Sequence, residues 1–120
     1  MSEQLSFTSK GIAGDLVRYV GSSGIRFQFK TGHSFYRQHK TPAGDYTDLR
    51  TTALTPDEIE TEIVVDIHLF LDSGRTLPVL NRSFRQPMQK EIVVKGHQIV
   101  YRAVELPDGS ISIGTYFAVP

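Results

Sequence analysis

The sequence predicts an α+β domain: a twisted antiparallel sheet of about four strands, with one or two helices on one face. Three observations predict it. A capped amphipathic helix stands in mid-chain at residues 56–71, and the final third alternates apolar and polar residues in segments parted by turn sequences. Ile25–Lys30 alternates in the same way, with Ile25, Phe27 and Phe29 on one side and Arg26, Gln28 and Lys30 on the other. The chain of 120 residues forms one domain, 1–120, long enough for a core without disulfides.

In chain order, Gly11–Val20 places Ile12, Leu16, Val17 and Val20 at helical spacing, predicting a short amphipathic helix that stops at Gly21-Ser22-Ser23-Gly24. Ile25–Lys30 follows as a strand, and residues 40–54, with Thr41-Pro42-Ala43-Gly44 and several Asp and Thr, read as loop. The central helix has Thr55 as N-cap, Pro56 at its first position and Glu58 completing a capping box. Acids crowd its N-terminal half, where the helix dipole favours them. Ile59, Ile63, Ile67 and Phe70 share one side, and Asp72-Ser73-Gly74 ends it.

Leu77–Phe84 predicts an extra strand, broken before Pro87. Strands over 91–95, 98–105 and 110–118 then form a meander, joined tightly at Gly96-His97 and through Pro107-Asp108-Gly109. Strict alternation turns Ile111, Ile113, Thr115 and Phe117 one way and Ser112, Gly114 and Tyr116 the other. The matching register sets Ile99, Tyr101 and Ala103 on the first face and brings Val100, Arg102 and Val104 beside Tyr116. The buried face then packs on a helix, and Arg102 and Tyr116 are shown on the other.

There is no cysteine, which excludes disulfide scaffolds, thiolate zinc sites, iron–sulfur clusters and thiol nucleophiles. No apolar run approaches the roughly 20 residues of a membrane span. Met1-Ser2-Glu3-Gln4 lacks the basic and apolar regions of a signal peptide, so cytoplasmic residence is the expectation. The formal net charge of zero hides an uneven distribution. Residues 26–50 carry five basic residues against Asp45 and Asp48; residues 57–72 carry six acids and no Lys or Arg; residues 75–102 carry six basic residues against Glu91. An acidic element between two basic ones allows one positive face at near-neutral pI.

Chemistry concentrates in Gly32-His33-Ser34-Phe35-Tyr36-Arg37-Gln38-His39-Lys40. Histidine exchanges a proton near neutral pH while Arg37 or Lys40 holds a phosphate, which is what metal-free RNA cleavage requires. The six-residue spacing of His33 and His39 fits no helical zinc pair, and neither a metal nor a cofactor is expected. Arg102 on a strand must reach an edge, a partner or a ligand; phosphate suits its guanidinium, with Thr115 and Tyr116 nearby to orient it. The alternative ties Arg102 to Glu91 or Glu105 and sets Tyr116 at the core edge. Arg82 and Arg85, flanking Phe84, suit RNA through charge and stacking, or serve as solubilising edge charges. His97 falls in a turn and His68 inside the acidic helix, where packing is the simpler role.

A His-x-x-x-Arg-x-His element, then a Thr-Pro-Asp-Glu-Ile-Glu helix, then a meander ending in Gly-Thr-Tyr-Phe resembles the small metal-independent ribonuclease domains of barnase/EndoU/colicin/RelE type found in bacterial toxins. The resemblance covers roughly residues 30–120 and rests on element order and residue types. It implies helices packed on a four-stranded antiparallel sheet, and RNA cleavage without metal. His33 or His39 would then be general base or acid, Arg37 and Arg102 would hold phosphate, and Thr115 and Tyr116 would line the scissile site. The long Thr41–Leu54 loop departs from that pattern. RNA and a cognate inhibitor or immunity protein are the partners it implies. The alternatives are a non-enzymatic protein-binding module (an immunity protein, phage-encoded inhibitor or adaptor) and an RNA-binding protein without catalysis.

Overall fold

A computed structural model of the chain describes residues 5–80 and 86–119. Eight strands and two helices follow in the order β1 (Phe7–Lys10), β2 (Val17–Ser22), β3 (Ile25–Phe29), α1 (Thr31–Ser34), β4 (His39–Lys40), β5 (Tyr46–Thr47), α2 (Pro56–Asp72), β6 (Met88–Val94), β7 (His97–Glu105) and β8 (Ile111–Ala118). The fold is α+β, as the patterning implied, but the main sheet has six strands in the order β1-β2-β3-β8-β7-β6 and is mixed. β3 and β8 run parallel at its centre, joining a three-stranded N-terminal half to the C-terminal meander; β4 and β5 form a separate two-stranded ribbon.

The central helix forms as its sequence dictates. Thr55 and Glu58 exchange both bonds of the capping box, and Gly74 follows the helix end at φ +89°. Ile59, Ile63, Val64 and Ile67 are at most 1% exposed and pack on the sheet. Each is worth about 1.5–3 kcal/mol relative to an exposed position. They meet Phe27 and Phe29 of β3, Ile99, Tyr101 and Ala103 of β7, and Ile111, Ile113 and Tyr116 of β8.

Three expectations need correction. The helix expected over Gly11–Val20 is a single 3₁₀ turn at Ala13–Asp15 followed by β2, and Ile12 is 79% exposed. The core-facing positions of β2 are Arg18, Val20 and Ser22. A buried arginine broke the apolar alternation, leaving Val17 and Val20 to mimic a helical spacing. Ser23-Gly24, both at positive φ, close the β2–β3 hairpin in the geometry that fits strand twist. In the meander the same device is Lys95-Gly96, so the turn lies one residue before Gly96-His97.

The third correction concerns faces. Arg102 pairs with Thr115 but Ala103 with Ile113, so Gly114 is an extra residue in β8. This β-bulge resets the alternation: Ile111 and Ile113 point to the core before it, Tyr116 and Ala118 after it. Tyr116 is therefore a core residue with no exposure, and it does not share a face with Arg102. Thr115 and Phe117 do. Of the strand expected at Leu77–Phe84, the described part makes one parallel bridge, Val79 to Glu105; the rest lies outside the described residues.

Candidate functional site

The short helix α1 is fastened from several directions. Lys30 N–H, at the exit of β3, bonds to Ile113 O at 3.2 Å, and Gly32 N–H to Leu16 O at 2.8 Å. A Cβ on Gly32 would lie 2.2 Å from Ala13 O, so only glycine permits this approach. Ser34 Oγ donates to Lys30 O (2.9 Å) and accepts from Tyr116 N–H (3.1 Å), docking the helix at the β8 bulge.

Beneath it lies a buried polar network. Glu60 of α2, with no exposure, accepts from Thr31 Oγ1 at 2.6 Å and from the Tyr116 hydroxyl at 2.5 Å. Arg18 Nη1 stands 3.3 Å from its other oxygen and also pairs with Asp57. Burial pushes the Glu60 carboxyl up to about 7, against the opposing pull of Thr31, Tyr116 and Arg18. Burial, then the nearby Glu60 charge, raises the Tyr116 phenol well above its ordinary range. Tyr116 thus anchors the frame under α1 and is not available to a substrate.

On the opposite face of the sheet, α1 and the segment after it form one wall of a cleft of about 680 Å³. Its charged lining is Lys30, Arg37, Lys40 and Arg102, with the imidazoles of His33 and His39. Val104, Ser112, Gly114 and Thr115 supply strand surface, and Gln38, Leu80 and Pro87 complete the lining, with no carboxylate among these residues. The ion pairs among the described residues use Arg18, Arg50, Lys90 and Lys95, so none of the four cleft cations is paired with a carboxylate of a described residue. Among the described residues, no three His, Cys, Asp or Glu side chains cluster so as to hold a metal ion.

His39 is half-buried and stacks on Phe117, ring centroids 5.4 Å apart at 25°. Its Nε2 lies 3.0 Å from Ser34 O. A carbonyl only accepts, so Nε2 carries the proton and Nδ1 keeps a lone pair. Burial lowers the His39 pKa below 6.5, and the charges of Arg37 and His33 add to this; the Ser34 bond and Asp48 oppose it. At neutral pH this imidazole is a neutral base. His33, one turn before Arg37, accepts from Arg37 Nη1 at 2.7 Å on Nε2. Arg102 is exposed, donates from Nε to Gln89 Oε1 at 2.9 Å, and has its guanidinium 5.8 Å from the Phe117 ring centre. It is not tied to Glu91 or Glu105.

Of the residues singled out in the sequence, His33, His39, Arg37, Lys40, Arg102 and Thr115 meet in this cleft and Tyr116 does not. Arg82 and Arg85 lie outside the described residues. Lys30, Gln38 and Phe117 were missed. Lys30 was legible as a cation three residues before His33; the placement of Phe117 depended on the bulge. Among the described residues, no helix is long and apolar enough to cross a membrane. No family model, curated protein or solved structure matches the chain.

Proposed function

We propose that this protein is a metal-independent endoribonuclease that cleaves RNA through attack of the 2′-hydroxyl. One observation carries the reading: among the described residues, four cations without carboxylate partners and two imidazoles share a single cleft with no acid in its lining. Like charges held together repel, and a phosphodiester relieves that repulsion. Arg37, Arg102, Lys30 and Lys40 bind the phosphate and stabilise the charge that grows on its equatorial oxygens. His39 Nδ1 takes the 2′-hydroxyl proton, the 2′-oxygen bonds to phosphorus, and the bond from phosphorus to the 5′-oxygen breaks. His33, released when Arg37 turns to the phosphate, takes up a proton from solvent on the freed Nε2 and delivers it to the leaving 5′-oxygen. The products are a 2′,3′-cyclic phosphate and a free 5′-hydroxyl. DNA, lacking the nucleophile, is bound but not cut. An enzyme of this kind is toxic when active in a cell, and a cognate inhibitor that covers the cleft would restrain it.

The test is incubation of RNA with the purified protein in EDTA, beside His33→Ala, His39→Ala and Arg102→Ala. Cleavage by the parent that collapses in the His39 and Arg102 variants supports the reading. Cleavage that needs magnesium or zinc, or that cuts DNA equally, refutes the mechanism. A second reading, a protein-binding module, is favoured by Val65 and Leu69, 47% and 64% exposed on the outer side of the acidic α2. Under that reading Arg102→Ala leaves no activity to lose, and Leu69→Ser weakens a protein complex.

A further inference from the structure

The cleft continues into a second recess, of about 560 Å³, and the two share His39, Lys40, Arg102 and Thr115. The character changes across that boundary. The recess is lined by Val100, Phe117 and Val119 of the sheet's open face and by Thr41 and Pro42, with Gln89 and Glu91 also bordering it. Thr41, 9% exposed, leaves its hydroxyl without a hydrogen-bond partner in this wall. Among the described residues, Glu91 is the only carboxylate lining either cavity. Gln98 donates to its Oε2 at 2.6 Å, leaving Oε1 as a free acceptor. Beyond the shared cations, a recess with apolar and aromatic walls and an acceptor at its border suits a flat, uncharged ring bearing N–H donors.

We infer that this recess receives the base of the nucleotide whose 3′-phosphate occupies the cleft, and that Glu91 selects bases carrying an exocyclic amine over uracil. The inference rests on the cleft being a phosphodiester site. His39 is the hinge of the geometry. In a ribonucleotide the 2′-hydroxyl lies between the base and the 3′-phosphate, and His39 lines the passage between recess and cleft. A base in the recess with its phosphate against Arg102 brings that hydroxyl to the imidazole. Phe117, under the His39 ring, gives the recess an aromatic surface. Glu91 Oε1 accepts from an amine such as cytosine N4 and repels the carbonyl oxygen that uracil places at the same position.

Cytidine 3′-phosphate, uridine 3′-phosphate and inorganic phosphate separate the contributions when titrated calorimetrically into the full chain. Both nucleotides should bind more tightly than inorganic phosphate, and the cytidine compound about fivefold more tightly than the uridine one. Glu91→Gln should remove that preference while leaving the uridine affinity at least as high, which also shows that the variant is folded. Nucleotides no tighter than inorganic phosphate, or equal affinities for the two pyrimidines, overturn the base recess and leave the cleft assignment standing. If neither phosphate nor an RNA oligonucleotide binds at all, the cleft assignment falls and the recess with it.

Discussion

Arg18 and Arg102 stand on opposite faces of one sheet and meet opposite treatment. Arg18 is buried on the helix side, where Asp57 and Glu60 answer its charge and Phe7 lies under its guanidinium. Arg102 on the open side has, among the described residues, a glutamine and an aromatic ring for partners, and the cleft it lines holds Lys30, Arg37 and Lys40 as well. A buried charge must be compensated within the fold. An exposed cluster of one sign carries no such requirement, and it lowers stability unless something else gains from it. The helix face therefore holds the fold together and the open face is free for a ligand, so equivalent substitutions should have opposite consequences on the two sides.

The largest expected effect is catalytic. His39→Ala should lower the rate of RNA cleavage about 10²–10⁴-fold with little change in melting temperature, measured by single-turnover assay and thermal scan. Next comes stability. Arg18→Ala leaves Glu60 buried without its cation and should cost about 3–5 kcal/mol in chemical denaturation. Arg102→Ala, at an exposed position, should change stability by less than about 0.5 kcal/mol. A reversal of that order would break the contrast between the two faces.

These faces were unequally legible in the sequence. The helix announced itself through Thr55, Pro56, Glu58 and the isoleucine spacing, because capping and amphipathic burial are local. His33, Arg37, His39 and Lys40 were close enough in sequence to suggest a shared site, and Arg102 and Thr115 joined them because their strands pair. What could not be read were the features set by partners distant in sequence. Arg18 looks like a surface residue until Glu60 and Asp57 are brought to it. Gly114 reads as an ordinary strand position until the pairing shows it to be the bulge, and that one residue moves Tyr116 into the core and Phe117 out of it. The parallel contact of β3 with β8 joins residues more than 80 positions apart and has no local signal.

Smaller effects sharpen the comparison. Glu60 should make stability fall as pH rises. Its carboxyl is held near 7 in the fold against an ordinary 4.5, so the folded chain binds more protons than the unfolded one between those values. The contribution is fully present below about 4.5 and lost as pH climbs through about 7, and Glu60→Gln should flatten that part of a denaturation series. His39 should act in the opposite direction on activity. As a base with a lowered pKa, it should give kcat/KM an acid limb whose midpoint lies below 6.5. Inorganic phosphate at ten times its dissociation constant should stabilise the protein by about 1.4 kcal/mol. The Lys30→Ala, Arg37→Ala, Arg102→Ala triple variant should lose most of that gain, which separates site binding from a general salt effect.

The central claim is that the open-face cleft turns over RNA with His39 as base, and the RNA termini test it most directly. Mass spectrometry of fragments produced in EDTA by the parent chain should find 2′,3′-cyclic phosphates and 5′-hydroxyls, with none above background from His39→Ala. No fragments from the parent, termini bearing 5′-phosphate, or equal yields from the two proteins would contradict it.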